Sequence, residues 1–172
     1  MLQLMNRTYT REWYLAKVAR IREIMPDCSI SADIIAGFCT ETEEDHQDTI
    51  SIMKEANYDY SYMYFYSERP GTLAAKRYED DIPEEVKKRR LQEIVDVQWV
   101  LSNESNKRDV GKTFEVLIEG NSKKSDQEWM GRNSQNKVIV FSKDNHNLKK
   151  GDYVNVLVTD FTKGTLLGKL SK

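Results

Sequence analysis

Apolar residues recur at Tyr14, Val18, Ile21 and Met25, spaced four, three and four apart, which puts them on one stripe of a helix from Thr10 to Met25. Pro26-Asp27 ends that helix. From Ile30 to Phe38 the chain becomes almost continuously apolar, the pattern of a strand buried on both faces in a helix-covered parallel sheet. Thr42-Glu43-Glu44-Asp45 then reads as a capping-box helix start, with Glu41 adding a fourth acid where the helix dipole is positive, and the helix runs on through Ile50 and Met53 to Ala56. A second strand is predicted over Tyr58 to Tyr66, whose five tyrosines and one phenylalanine suit a pleated, packed surface. Pro70-Gly71 marks a turn, and the stretch from Ser67 to Asp81 carries no clear period. Pro83-Glu84-Glu85 opens a long helix with Leu91, Ile94, Val97 and Leu101 on its apolar face, ending near Asn106. The first part therefore reads as α/β, the alternation of βα units in a parallel sheet or barrel.

After Val110-Gly111 the period changes to two. Phe114, Val116 and Ile118 alternate with their neighbours up to Gly120-Asn121; Lys137 to Phe141, Tyr153 to Val158 and Thr165 to Leu170 are further short strands. Four or five short strands in so few residues predict a small closed barrel, because an open sheet of that size leaves its edges unpaired. The expected organisation is an α/β part over residues 1–82, a connecting helix over 83–108, and an all-β barrel over 109–172 of about five antiparallel strands.

Composition changes this picture in one respect. The net charge of −2 conceals an asymmetry: from Asp109 onward there are 11 Lys+Arg against 8 Asp+Glu, leaving 15 against 20 before it. A basic barrel on an acidic body suits an anionic partner such as nucleic acid, and suits a solvated surface equally well. With two cysteines, Cys28 and Cys39, no CxxC spacing and two histidines, a zinc or cluster site built from this chain alone is not expected. No window is apolar enough to span a bilayer and the N-terminus lacks a secretory apolar core, so the expectation is a cytoplasmic protein without a membrane partner.

Several motifs in order carry a resemblance: Met5-Asn-Arg-Thr-Tyr-Thr-Arg-Glu-Trp-Tyr-Leu15, Asp33-Ile-Ile-Ala-Gly-Phe-Cys-Thr-Glu-Thr-Glu-Glu-Asp45, Tyr66-Ser-Glu-Arg-Pro-Gly-Thr72, Glu119-Gly-Asn-Ser-Lys-Lys124 and Gly131-Arg132-Asn133. Over essentially its whole length the chain resembles the C-terminal half of the tRNA methylthiotransferases, radical S-adenosylmethionine enzymes that add a 2-methylthio group to an isopentenylated adenosine beside the anticodon. The resemblance implies the last strands of an incomplete βα barrel followed by a TRAM domain, an OB-like barrel that grips tRNA.

It also implies roles for particular residues. Ile35 and Gly37, with Tyr66, would contribute to the S-adenosylmethionine pocket. Arg69, on the loop after the second strand, would hold a phosphate or the cofactor carboxylate, or pair with Glu68 or Glu79. Lys123, Lys124, Arg132 and Lys137 would contact tRNA phosphates, and Trp129 would stack a base or pack the barrel. The family has Gly-Phe-Pro-Gly-Glu where this chain has Gly37-Phe38-Cys39-Thr40-Glu41. The two 4Fe-4S clusters of the full-length enzymes need cysteine ligands that Cys28 and Cys39 do not replace. The expectation is thus a fragment, inactive alone, with no catalytic residue and no metal ligand of its own. Its expected partners are the tRNA anticodon stem-loop, the missing N-terminal parts, and a second copy through the exposed barrel edge. Two other readings stand beside it: a stand-alone RNA-binding module, and the related ribosomal-protein methylthiotransferase, against which Arg69-Pro70-Gly71 argues because an acid is expected there.

Overall fold

A computed structural model describes residues 1–143 and 147–171. The chain divides into two compact units, Met1–Leu101 and Ser102 onward, with the division inside a helix.

In the first unit, α1 (Arg11–Ile24), α2 (Glu43–Ala56), α3 (Leu73–Arg77) and most of α4 (Glu84–Lys107) accompany a two-stranded parallel sheet of β1 (Ser31–Ala36) and β2 (Tyr60–Phe65). Sequence chemistry accounts for the helix ends. Thr10 accepts from the Trp13 amide to cap α1 (3.3 Å). Thr42 and Asp45 close the expected capping box on α2, each side chain accepting the other's backbone amide. At its other end α2 stops on Asn57 in the left-handed conformation, φ 52°. The Arg22 guanidinium donates to the carbonyls of Ala56 and Asn57 there.

The β1–β2 register pairs Asp33 with Tyr62 and Ile35 with Tyr64. Ile34 and Ala36 point into a core with Val18, Ile50, Met53, Ala56, Tyr58, Ile94 and Leu101. The other face carries Asp33, Ile35, Tyr62 and Tyr64 and is exposed. The expectation that the first strand is buried on both faces is therefore corrected: among the described residues helices cover one face only, so Ile35 remains 39% exposed. The aperiodic stretch after β2 also contains a helix that hydrophobic patterning missed, α3, started by Thr72 accepting from the Ala75 amide.

The second unit is a closed barrel in the order β3-β4-β5-β7-β6, from β3 (Thr113–Asn121), β4 (Glu128–Asn133), β5 (Val138–Ser142), β6 (Tyr153–Thr162) and β7 (Thr165–Leu170). Strand β4 escaped the sequence reading because Glu128-Trp-Met-Gly-Arg-Asn133 holds a glycine and too few β-branched residues. Closure is not wholly antiparallel as expected: β5 and β7 pair in parallel, Ile139 to Leu166, which the crossing connection through β6 makes necessary. Val116, Ile118, Ile139, Phe141, Val156, Val158 and Leu166 fill the interior. Gly131 permits that density, since a Cβ there would lie 2.3 Å from the Leu117 carbonyl oxygen and 2.7 Å from a Val116 methyl. Among the described residues no helix is long and apolar enough to cross a membrane.

Candidate functional site

Two groups of residues are candidates, one in each unit. The first surrounds the ends of β1 and β2. Gly37 leaves β1 at φ +69°, and a Cβ on it would lie 2.4 Å from Lys87 Cγ, so both backbone conformation and packing require glycine. Its amide donates to Glu41 Oε1 (2.9 Å). Arg90, itself buried, donates to the same carboxylate oxygen and to the Glu41 carbonyl, both at 2.9 Å. This buried pair fixes the turn that the motif supplies. The close approach that the glycine allows is thus to Lys87 of α4.

Tyr66 extends from β2 through a hydrogen bond from its amide to the Ala36 carbonyl (2.8 Å). Its ring meets Phe38 edge-on at 4.9 Å, in a small apolar cluster with Cys39, Met1, Leu4, Met5, Ala74 and Tyr78. The hydroxyl is buried, and among the described residues its polar neighbour is the Cys39 thiol, with no nitrogen or oxygen partner. Burial pushes its pKa up to about 12, with the Cys39 thiol beside it adding to the rise. Lys87 Nζ sits 5.3 Å from the ring centroid and is ion-paired with Asp80.

Ile35 lines a cleft of about 700 Å³ with Tyr9, Arg11, Asp33 and Tyr58, and Glu41, whose carboxylate accepts from the Gly37 amide, lines it too. Arg69 is exposed, and its guanidinium pairs with no carboxylate among the described residues, Glu68 and Glu79 included. Its carbonyl instead accepts from the Thr72 hydroxyl (2.9 Å) and so shapes the turn before α3. Gly37 and Tyr66 are neighbours at the strand ends, and Ile35, two residues before Gly37, is on the exposed face of the sheet.

One further cluster has ligand-type atoms close together, Glu43, His46 and Glu93. Two guanidiniums already occupy it: Arg89 bonds both carboxylates and Arg90 approaches Glu43. Arg89 holds the Glu43 carboxyl at about 2, and Glu93 is lowered first by its bond from His46 and then by Arg89. A cation would have to displace both arginines, so the arrangement reads as an ion-pair network joining α2 to α4. Cys39 is buried and Cys28 half-buried.

The second group is on the barrel. Lys123 and Lys124 stand exposed on the β3–β4 connection with no carboxylate partner among the described residues. Arg132 is 41% exposed, with Nε 3.3 Å from Glu119 and Nη1 donating to the Asn136 carbonyl (2.9 Å), so it reaches solvent already partly neutralised. Lys137 does not fit its expected role. Its side chain is 9% exposed and its ammonium bonds Asp109 (2.6 Å) and Ser105 (2.7 Å), because burying the Asp109 carboxylate demands a cation. Trp129 has its indole N–H buried without an acceptor, packs on the barrel core, and carries Lys143 Nζ 4.1 Å from its ring centroid. Sequence reading missed Lys143; the signal, a lysine two positions after Phe141, becomes legible only once Trp129 is known to pair with Phe141.

Comparison with known proteins agrees with this division. A family model of the TRAM domain matches residues 107–171. Over 170 residues, 98% of the chain, it is 63% identical to a tRNA-2-methylthio-N(6)-dimethylallyladenosine synthase of Amoebophilus asiaticus, covering 35% of that protein. It is 57% identical over 168 residues to the synthase of the same name from Phocaeicola vulgatus, again covering 98% of the chain and 36% of the relative. The chain thus spans about a third of the length of the curated relatives it matches.

Proposed function

Since the chain belongs to the family of the tRNA-2-methylthio-N(6)-dimethylallyladenosine synthases and carries a TRAM domain, we propose that it is the RNA-gripping part of such an enzyme and contributes one wall of its cofactor pocket. The observation that carries the first half is the pair of exposed ammoniums of Lys123 and Lys124, without a carboxylate partner among the described residues, on one connection of a closed barrel. Cations free of carboxylates are the groups that neutralise RNA phosphates without first breaking a salt bridge. Arg132 is the third contact, and it releases Glu119 to make it. Lys137 is withdrawn from this role. The tRNA anticodon stem-loop is the proposed ligand, and the cytoplasm the proposed compartment.

For the cofactor, the buried hydroxyl of Tyr66, whose polar neighbour among the described residues is the weakly bonding Cys39 thiol, supports a polar ligand group arriving at the ends of β1 and β2. S-adenosylmethionine, when bound, would supply the radical chemistry expected of the family. Tyr66 would donate its hydroxyl to a polar atom of the cofactor, and Arg69 would receive its carboxylate or a tRNA phosphate. The residues do not fit the clusters themselves: of two thiols one is sealed in an apolar cluster beside Phe38, and a cysteine-ligated cluster takes more than two. Methylthio transfer therefore requires thiolates beyond these residues, and this chain alone is proposed to lack it.

Fluorescence anisotropy with a labelled anticodon stem-loop tests the RNA reading. Lys123→Ala with Lys124→Ala is expected to weaken binding and flatten the log-affinity against log-salt slope by roughly 0.7–0.9 per lost contact. Lys137→Met is expected to leave that slope unchanged. An unchanged slope in the double variant refutes the phosphate assignment.

A further inference from the structure

At the barrel rim, where the β3–β4 connection meets the end of β5, an aromatic ring and a cation are held together by neutral groups. Trp129 of β4 pairs across to Asn121 on β3 and Phe141 on β5. Lys143 follows β5 and places its ammonium 4.1 Å from the Trp129 centroid, where Asn121 Oδ1 accepts from it at 2.8 Å. Asn121 is itself oriented by donating Nδ2 to Asp126 Oδ1 (2.9 Å). The connection is tied down as well: the Lys143 amide donates to the Gln127 carbonyl (3.0 Å) and the Ser122 amide to the Glu128 carbonyl (2.9 Å). Ser122 and Ser125 hydroxyls accept the amides of Lys124 and Gln127. The lysines at its tip are therefore presented on a braced loop.

The geometry of Trp129 is what singles this place out. Its indole nitrogen is buried and finds no acceptor among the described residues, and Lys143 lies over the ring, so the part of Trp129 that a ligand displacing Lys143 would meet is the π face. A lysine drawn to that face is held by a cation–π contact and one amide oxygen, contacts about as weak as an exposed ion pair and readily exchanged. A nucleotide matches what such an exchange exposes: a flat base for the indole and a phosphate for the displaced ammonium.

We propose that Trp129, Lys143 and Lys124 form a subsite for one unpaired nucleotide of RNA, the base stacking on Trp129 and the neighbouring phosphates taken by the two ammoniums. Asn121 is a positioning residue that keeps Lys143 over the ring. This rests on the RNA reading of the barrel and adds to it a preference for single strands, because a paired base is already stacked within its helix.

The test uses the full 172-residue chain with Trp13→Phe and Trp99→Phe, which leaves Trp129 as the sole tryptophan. It is titrated with labelled single-stranded oligoadenylate and, separately, a blunt RNA duplex, reading anisotropy and Trp129 emission together. The expected result is quenching that follows single-strand binding and is absent with duplex. Trp129→Ala should weaken single-strand binding about tenfold. Lys143→Ala should lower its salt slope by roughly 0.7. Trp129→Phe, which keeps a stacking face, should retain most of the affinity and serves if the alanine variant does not fold. Single-strand binding without quenching, together with unchanged affinity in Lys143→Ala, overturns the subsite while leaving the RNA reading intact. No binding of either RNA or of the anticodon stem-loop overturns both.

Discussion

Thr40 occupies a glycine's conformation. At φ 64° it sits in the left-handed region that a β-branched side chain tolerates poorly. Two fixed contacts impose this: its amide donates to Asp81 Oδ1 at 2.7 Å, and the adjacent Glu41 is clamped by Arg90. Thr40→Gly removes the strain and adds some unfolded-state freedom, so a net stabilisation of about 1 kcal/mol is expected. Urea denaturation measures it, and a loss of stability would show that the loop is not strained at Thr40. Lys137 makes the opposite case, a charge whose removal is expensive. Lys137→Met leaves the buried Asp109 carboxylate with only the half-exposed Lys112 at 3.3 Å, and should cost about 3 kcal/mol by thermal unfolding. Gly37 was legible in the sequence as a special backbone position; that Lys87 fills the space beside it was not, because α4 lies fifty residues further on.

The helices α2 and α4 are joined by the Glu43, His46, Arg89, Arg90 and Glu93 network, which makes their docking sensitive to acid. Glu43 is held at about 2 by Arg89 first and Arg90 next, and Glu93 is lowered by His46 and Arg89. Because both folded-state values lie below the unfolded carboxylate range, their stabilisation is present in full above about pH 5 and is lost as the pH falls toward 2. Glu43 is half-exposed, so added salt should shrink the effect. Urea midpoints measured across that window should fall with acidification, and less steeply in Glu43→Gln; equal slopes would remove Glu43 from the linkage. The capping box of α2 could be read from Thr42 and Asp45 because both partners lie within one turn. Strand β4 could not, since its pairing with β3 and β5 and not its own composition makes it a strand.

Taken as a molecule, the chain joins a barrel without free edges to a sheet with two of them. The β1–β2 pair exposes Ile35 at 39%, Tyr62 at 55% and Tyr64 at 58% on one face, and its strands have no further partners among the described residues. Unpaired strand edges beside an apolar face favour addition of another strand or sheet. The chain is therefore expected to self-associate, with a light-scattering mass that rises with concentration. A monodisperse monomer across a wide concentration range would show that the open face is tolerated in water.

Local pattern was enough to establish α1, α2 and α4, four of the five barrel strands, the change of period after Val110 and the family motifs, because each depends on neighbours within a few residues. Tertiary structure alone committed Lys137 to Asp109, made the β5–β7 pair parallel and set Lys143 over Trp129. Those outcomes depend on strand register and on which charges become buried. Both are settled by contacts between residues far apart in the chain, where residue type is visible in the sequence but partner is not.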